Sequence, residues 1–146
     1  DMSKKDILDQ SQLINTLENA VRANPNTIFI ACHLANTCAD LSVLGTLLDK
    51  YPNLYADIAA RYGELAPIPR HVKTFFERYR SRLLYGTDMG LSRSMYEITF
   101  RILESADEHF YDREYFNYHW PLHGLHLSDK TLERIYNKNG RKILAR

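Results

Sequence analysis

The sequence lacks the features that define several large classes of protein. It has only two cysteines, Cys32 and Cys38, which are too few for a disulfide framework. Their scarcity favours a reducing, cytoplasmic compartment, although a mature exported enzyme would look the same. No apolar run approaches the roughly 20 residues of a membrane-spanning helix, so we expect no membrane partner.

An excess of one charge and the common catalytic motifs are also missing. The 19 basic and 18 acidic residues leave a formal net charge of +1, and no aromatic-basic stripe indicates a nucleic-acid partner. There is no Gly-x-Ser-x-Gly elbow, no phosphate-binding loop and no dinucleotide fingerprint. The chain opens at Asp1 without a signal-peptide pattern or an initiator methionine, from which we expect the natural chain to begin further upstream.

What the sequence does contain is a regular alternation of helical and extended patterns. Helices are predicted over 3–23 (with Ser3 as the cap), 40–51, 71–79, 92–103 and 128–137, followed by a short turn at 141–145. Strands are predicted over 27–32, 54–58 and 82–86, and the first has the continuous apolar run of a strand buried on both faces. Such alternation predicts an α/β fold with a parallel sheet.

Polar side chains follow each predicted strand. They are His33, then Asp57 with Arg61 nearby, then Asp88 within Gly86–Gly90. Ligands bind at the carboxyl ends of parallel strands, so these residues are expected on one rim. Three interpretations are open for His33, which could be a metal ligand, a general base or a packing residue. Asp57 could equally be a site residue, a helix cap or a partner of Arg61. Asp88 suits a cation or an activated water, or else it only forms a turn.

Two later stretches are also chemically suggestive. His119, His123 and His126 have helical spacing, but Pro121 and Gly124 argue against a helix, so we predict a packed loop rather than a metal site. The aromatic stretch 110–118 is compatible with a segment that packs over the core, a lid or an interface, and its composition does not distinguish among these three.

Four stretches resemble the amidohydrolase-related family of metal-dependent hydrolases. They are TIFIACHLAN at 27–36, YPNLYADIAAR at 51–61, RLLYGTD at 82–88 and LERIYNKNGRKIL at 132–144, so the resemblance covers nearly the whole chain. It implies a (β/α)8 TIM barrel of which residues 1–146 supply the C-terminal part, about the last three βα units. The N-terminal strands would be missing from this chain. The exposed sheet edges would then need that missing portion, or another copy in a homo-oligomer, as a partner.

The resemblance also implies roles for the rim residues. Asp88 corresponds to the family aspartate that binds the metal or takes a proton from metal-bound water, and His33 to a histidine that binds metal or acts on the substrate. Asp57, Arg61 and Glu64 fall where substrate-binding residues would lie, with Arg61 holding an anionic group. The family's His-x-His pair after the first strand is absent, and one Asp with one His is too few for catalytic zinc.

The function implied is hydrolysis of a C–N or C–O bond in a small-molecule amide, lactone or ester. The cofactor implied is a divalent metal ion, zinc above all, which activates a water. This chain, holding part of the site, is expected to be inactive alone. The alternatives are a metal-dependent decarboxylase of the same superfamily and a non-catalytic structural or interaction module.

Overall fold

The computed structural model describes residues 7–145. The helices are α1 (Gln10–Ala23), α2 (Leu41–Lys50), α3 (Tyr62–Leu65), α4 (Pro69–Tyr79), α5 (Arg93–Glu104), α6 (Asp129–Glu133) and α7 (Asn139–Leu144). The strands are β1 (Phe29–Ala31), β2 (Leu54–Asp57) and β3 (Leu83–Leu84). No helix in this described part of the chain is long and apolar enough to cross a membrane.

The three strands form one parallel sheet in the order β1-β2-β3. Phe29 lies opposite Leu54 in the first pair, and Ala56 lies opposite Leu83 in the second. This confirms the predicted α/β class with parallel strands, and each strand is shorter than its apolar run suggested. The eight-stranded barrel remains a prediction.

The two faces of the sheet are not equally covered. Ala31, Leu54, Ala56 and Leu83 share one face through the strand register, and all are buried. Ile30 points to the opposite face and is 43% exposed, so the prediction that the first strand is buried on both faces is wrong. The reason is that β1 lies at the edge of the sheet, where fewer neighbouring elements cover its side chains. An apolar run in the sequence therefore did not show that both faces of this strand are covered.

The first helix begins later than its hydrophobic spacing predicted. Asp9 forms a reciprocal capping box with Gln12, in which each side chain accepts a hydrogen bond of 2.8 Å from the other's backbone N–H. Ile7 and Leu8 therefore precede the helix and are exposed. The predicted cap Ser3 lies outside the described residues.

Two other boundaries differ from the predictions. Helix α4 starts at Pro69 rather than at residue 71, because proline is well suited to the first helical position. The last helix is capped by Ser128, where its predicted range starts, but it continues to Leu144 through a single π-turn at Arg134–Lys138. The predicted separate turn at 141–145 is thus the end of this helix.

The π-turn and the helix after it meet the outer edge of β3. The side-chain amide of Asn139 donates to the carbonyl of Leu83 at 2.7 Å, and the N–H of Tyr85 donates to the carbonyl of Ile135 at 3.1 Å. These groups face away from β2, whose bonds to β3 use Arg82 and Leu84. The C-terminal helix therefore occupies this edge at two positions.

Candidate functional site

The rim at the carboxyl ends of the strands is built from left-handed backbone turns. After β1, four consecutive residues, His33 to Asn36, have φ between 52° and 56°. Ala60 after β2 has φ 55°, and Asp88 after β3 has φ 52°. Left-handed backbone costs an L-residue about 1–2 kcal/mol. Such strain concentrates where a structure fixes functional side chains, which makes this rim the candidate site.

The side chain of Asp57 links the turn after β1 to the turn after β2 through hydrogen bonds. Its Oδ1 accepts hydrogen bonds from the backbone N–H of His33 at 2.8 Å and of Ala59 at 3.1 Å. Asp57 does not pair with Arg61, the partner considered from the sequence. Its observed contacts position the backbone of His33, and direct binding of substrate by Asp57 stays a prediction.

The imidazole of His33 is held in one tautomer. Its Nδ1 lies 2.9 Å from the carbonyl oxygen of Ala59, and a carbonyl can only accept, so Nδ1 carries the hydrogen. In the neutral ring, Nε2 is then the atom with a lone pair, and it is available as a ligand or a base.

That nitrogen points at a carboxylate. Nε2 of His33 lies 3.5 Å from Oδ2 of Asp88, and the side chains are 27% and 64% exposed, respectively. An imidazole nitrogen and a carboxylate oxygen at this separation are two donor atoms of the kind that bind one divalent metal ion. The structure thus brings together the two residues predicted as the catalytic pair.

Arg61 and Glu64 form a second polar pair beside the rim. Arg61 Nη1 donates to Glu64 Oε1 at 2.9 Å, and the side chains are 28% and 34% exposed. Two other atoms of the pair, Nε of Arg61 and Oε2 of Glu64, are buried without a hydrogen-bond partner among the described residues. Among the described residues the pair is therefore joined by one hydrogen bond, and one buried donor and one buried acceptor remain without a partner.

Sequence reasoning did not identify an aromatic pair that packs beside Arg61 and Glu64. Tyr118 and Trp120 stack with ring centroids 4.5 Å apart, and the indole Nε1 donates to the carbonyl of Gly63 at 3.1 Å. A Cβ at Gly63 would lie 2.2 Å from Cε2 of Tyr118, so only glycine admits this contact. The only signal in the sequence was a single tryptophan next to an aromatic stretch. Its contact with Gly63, which is 57 residues away, could not be predicted from the sequence.

The neighbourhood also perturbs nearby titratable groups. Burial, reinforced by the charge of Glu64, raises the pKa of Cys38 to about 11. Burial and the same carboxylate raise the pKa of Tyr118. Both cysteines are free thiols, and burial together with Asp57 raises the pKa of Cys32. Neither thiol therefore has the lowered pKa of a nucleophilic cysteine.

The histidine-rich stretch forms no helix, as predicted. Residues 119–126 have no helical turn, and Nδ1 of His123 accepts a hydrogen bond of 3.4 Å from the N–H of His109. Leu122 pairs with Phe110 in an isolated antiparallel bridge, which holds the two ends of this aromatic segment together.

A metal ion would find part of a coordination set on this rim. His33 and Asp88 offer the imidazole nitrogen and carboxylate oxygen that zinc accepts, and their open approach fits a cation. Within residues 7–145, however, no group of three His, Cys, Asp or Glu side chains could hold a metal ion. Catalytic zinc takes three protein ligands, so the described residues supply the right kind of donor but too few of them.

Comparison with known protein families gives a match. A family model described as amidohydrolase matches residues 10–146, nearly the whole chain. No curated protein and no solved structure matches significantly.

Proposed function

The chain belongs to the amidohydrolase family, and from that premise we propose that it forms part of a metal-dependent hydrolase acting on a C–N or C–O bond of an amide, lactone or ester. Membership of the family indicates a hydrolase or a related activity. The observation that supports the proposal is the approach of His33 Nε2 to Asp88 Oδ2, which places two atoms of the kind that bind a divalent metal side by side.

The proposed fold is a (β/α)8 barrel of which this sheet is one section. Three parallel strands cannot close a barrel, and β1 presents an edge that pairs with no other strand in the described part of the chain. The outer edge of β3 is already met by Asn139 and Ile135. A further strand that paired with this edge of β3 would therefore have to use other backbone groups of β3 or displace these two hydrogen bonds.

Each residue has a role in the proposed chemistry. When bound, a divalent metal, which we propose to be zinc, would supply Lewis-acid activation of a water. Asp88 would hold the metal or accept the proton of the water. His33 would hold a proton at Nε2 and pass it to the leaving group, since its Nδ1 stays bonded to Ala59. Arg61 and Glu64 would contact the substrate, and Asp57 would keep the turn of His33 in place.

The test is metal-dependent turnover by the full-length gene product, because we propose that the site is completed outside this chain. An amide, a lactone and an ester are assayed before and after chelation and metal return. Replacing Asp88 by Asn should lower the rate by about 10²–10⁴-fold, the usual size of a lost acid–base contribution. Asp129→Asn, which changes an exposed carboxylate of α6, is the matched control.

Three outcomes would decide between the candidates. Hydrolysis that needs metal and Asp88 supports the proposal. Release of CO2 from a carboxylated substrate without hydrolysis would replace it with the decarboxylase. A full-length protein that holds no metal and turns over no substrate would overturn it in favour of a structural or interaction module.

A further inference from the structure

The turn that carries Asp88 is attached to the segment after β2 at two consecutive carbonyl groups. The hydroxyl of Tyr62 donates to the carbonyl oxygen of Gly86 at 2.7 Å. The backbone N–H of Ala60 donates to the carbonyl oxygen of Thr87 at 3.0 Å. The carboxylate of Asp88 is 64% exposed and accepts no hydrogen bond from the part of the chain that the structure describes. The backbone of this turn therefore decides where the carboxylate points.

The hydroxyl of Tyr62 is a constant hydrogen-bond donor in a fixed position. Tyr62 is 0% exposed, and its ring packs against Tyr85 and Phe116 with centroid distances of 6.3 and 6.2 Å. Burial raises the pKa of its phenol, so the oxygen keeps its hydrogen throughout the physiological range. A buried, uncharged donor of this kind fixes a backbone carbonyl without adding a charge to the site.

The same short segment also orients the histidine that Asp88 faces. The carbonyl of Ala59 accepts the hydrogen on Nδ1 of His33. Residues 59–62 therefore set both the tautomer of His33 and the turn of Asp88, whose side chains meet at 3.5 Å. Tyr62 makes its contact with that turn through a side chain, so a substitution can remove the contact and leave the backbone intact.

From these contacts we propose that Tyr62 is a positioning residue, whose buried hydroxyl holds the turn at Gly86 so that the carboxylate of Asp88 faces the imidazole of His33. The inference rests on the proposed function for its biological meaning, since Asp88 is the carboxylate proposed to hold the metal. Replacing a residue that orients a metal ligand typically lowers the metal affinity about 10–100-fold. We therefore expect Tyr62 to control metal affinity as well as stability.

The direct test is Tyr62→Phe in the full-length protein, because it removes the hydroxyl and keeps the buried ring. Tyr79→Phe is the matched control. Tyr79 is also buried, and its hydroxyl lies 3.2 Å from the carbonyl oxygen of Gly45, between α2 and α4 and outside the rim. Chemical denaturation of both variants verifies that they fold and measures how much stability each lost hydroxyl costs.

The first measurement needs no metal. The imidazole signals of His33 are recorded by NMR in the metal-free protein at one fixed pH, and they are assigned by their loss in His33→Gln. Asp88→Asn gives the position of these signals when the facing carboxylate is neutralised. Tyr62→Phe should move the signals toward that position, because the carboxylate no longer faces the ring. Tyr79→Phe should leave them at the wild-type position.

The second measurement is the affinity for Co²⁺, titrated into the metal-free full-length protein. Tyr62→Phe should weaken binding about 10–100-fold. Tyr79→Phe should leave the affinity unchanged, even where it lowers the stability as much as Tyr62→Phe does. A purely structural role of Tyr62 would lower the stability alone.

The inference is overturned if the His33 signals of folded Tyr62→Phe match those of the wild type, or if Tyr79→Phe moves them as far. It is equally overturned if the wild-type protein binds Co²⁺ and Tyr62→Phe binds it as tightly. A wild-type protein that binds no Co²⁺ and hydrolyses nothing would reject the proposed hydrolase. The His33 signals would then still decide whether Tyr62 positions Asp88.

Discussion

The backbone N–H of His33 is bound by the carboxylate of Asp57 at 2.8 Å, across the ends of two neighbouring strands. The same oxygen accepts from Ala59, whose carbonyl in turn receives Nδ1–H of the His33 ring. Asp57 thus helps to fix both the left-handed turn that carries His33 and the residue that sets its tautomer. Positioning groups of this kind are characteristic of sites that must hold a histidine in one orientation.

Removing the acceptor of Asp57 should destabilise the protein more than removing its charge. Asp57→Ala leaves two partly buried N–H groups without a partner, which should cost about 1–3 kcal/mol. Asp57→Asn keeps an acceptor oxygen and should lose less than half of that. Chemical denaturation of both variants measures the difference. Equal losses would show that the negative charge, and not the hydrogen bonds, is what stabilises the turns.

Two glycines should respond to alanine in opposite directions. A Cβ at Gly124 would lie 2.0 Å from the backbone oxygen of Ser105, so Gly124→Ala should destabilise the fold by about 1–3 kcal/mol through overpacking. Gly140 lies in α7 with nothing near its Cβ position, so Gly140→Ala should be neutral or stabilising by up to about 1 kcal/mol. Thermal unfolding of the two variants tests the pair, and a stable Gly124→Ala protein would contradict the packing described here.

Alkaline pH should destabilise the protein partly through Cys38. Its pKa is raised from an ordinary 9.0 to about 11 by burial and by the charge of Glu64. Below pH 9 the thiol is protonated in both the folded and the unfolded chain. Between pH 9 and about 11 the unfolded chain loses its proton first, so the free energy of unfolding falls as the pH rises.

The variant Cys38→Ala isolates this contribution. It should flatten the decrease of stability between pH 9 and 11 relative to the wild type, whatever its effect at pH 7. Denaturation midpoints measured at pH 7, 9 and 10.5 provide the comparison. The buried Tyr62 and the half-buried Tyr136, whose pKa values burial also raises, will contribute a decrease that both proteins share. Parallel curves for the two proteins would rule out the thiol as a cause.

Local chemistry made several features of this protein predictable from sequence. The caps Asp40, Ser92 and Ser128 each accept a hydrogen bond from a backbone N–H within the next three residues, so the polar side chain and the helix it begins are neighbours in the chain. The alternation of strands and helices fixed the order in which His33, Asp57 and Asp88 reach one rim. The approach of His33 to Asp88 follows from that order, because parallel strands end at the same side of a sheet.

The sequence by itself therefore determined the α/β class, most helix starts and which residues lie at the carboxyl ends of the strands. Only the tertiary structure decided how the rim residues are used. It paired Arg61 with Glu64 rather than with Asp57, bound Asp57 to the turn of His33, and set Trp120 against Gly63. It also left Ile30 exposed on an apolar strand. Periodicity and capping act over a few residues, whereas these contacts join residues brought together only by packing, and no local pattern encodes them.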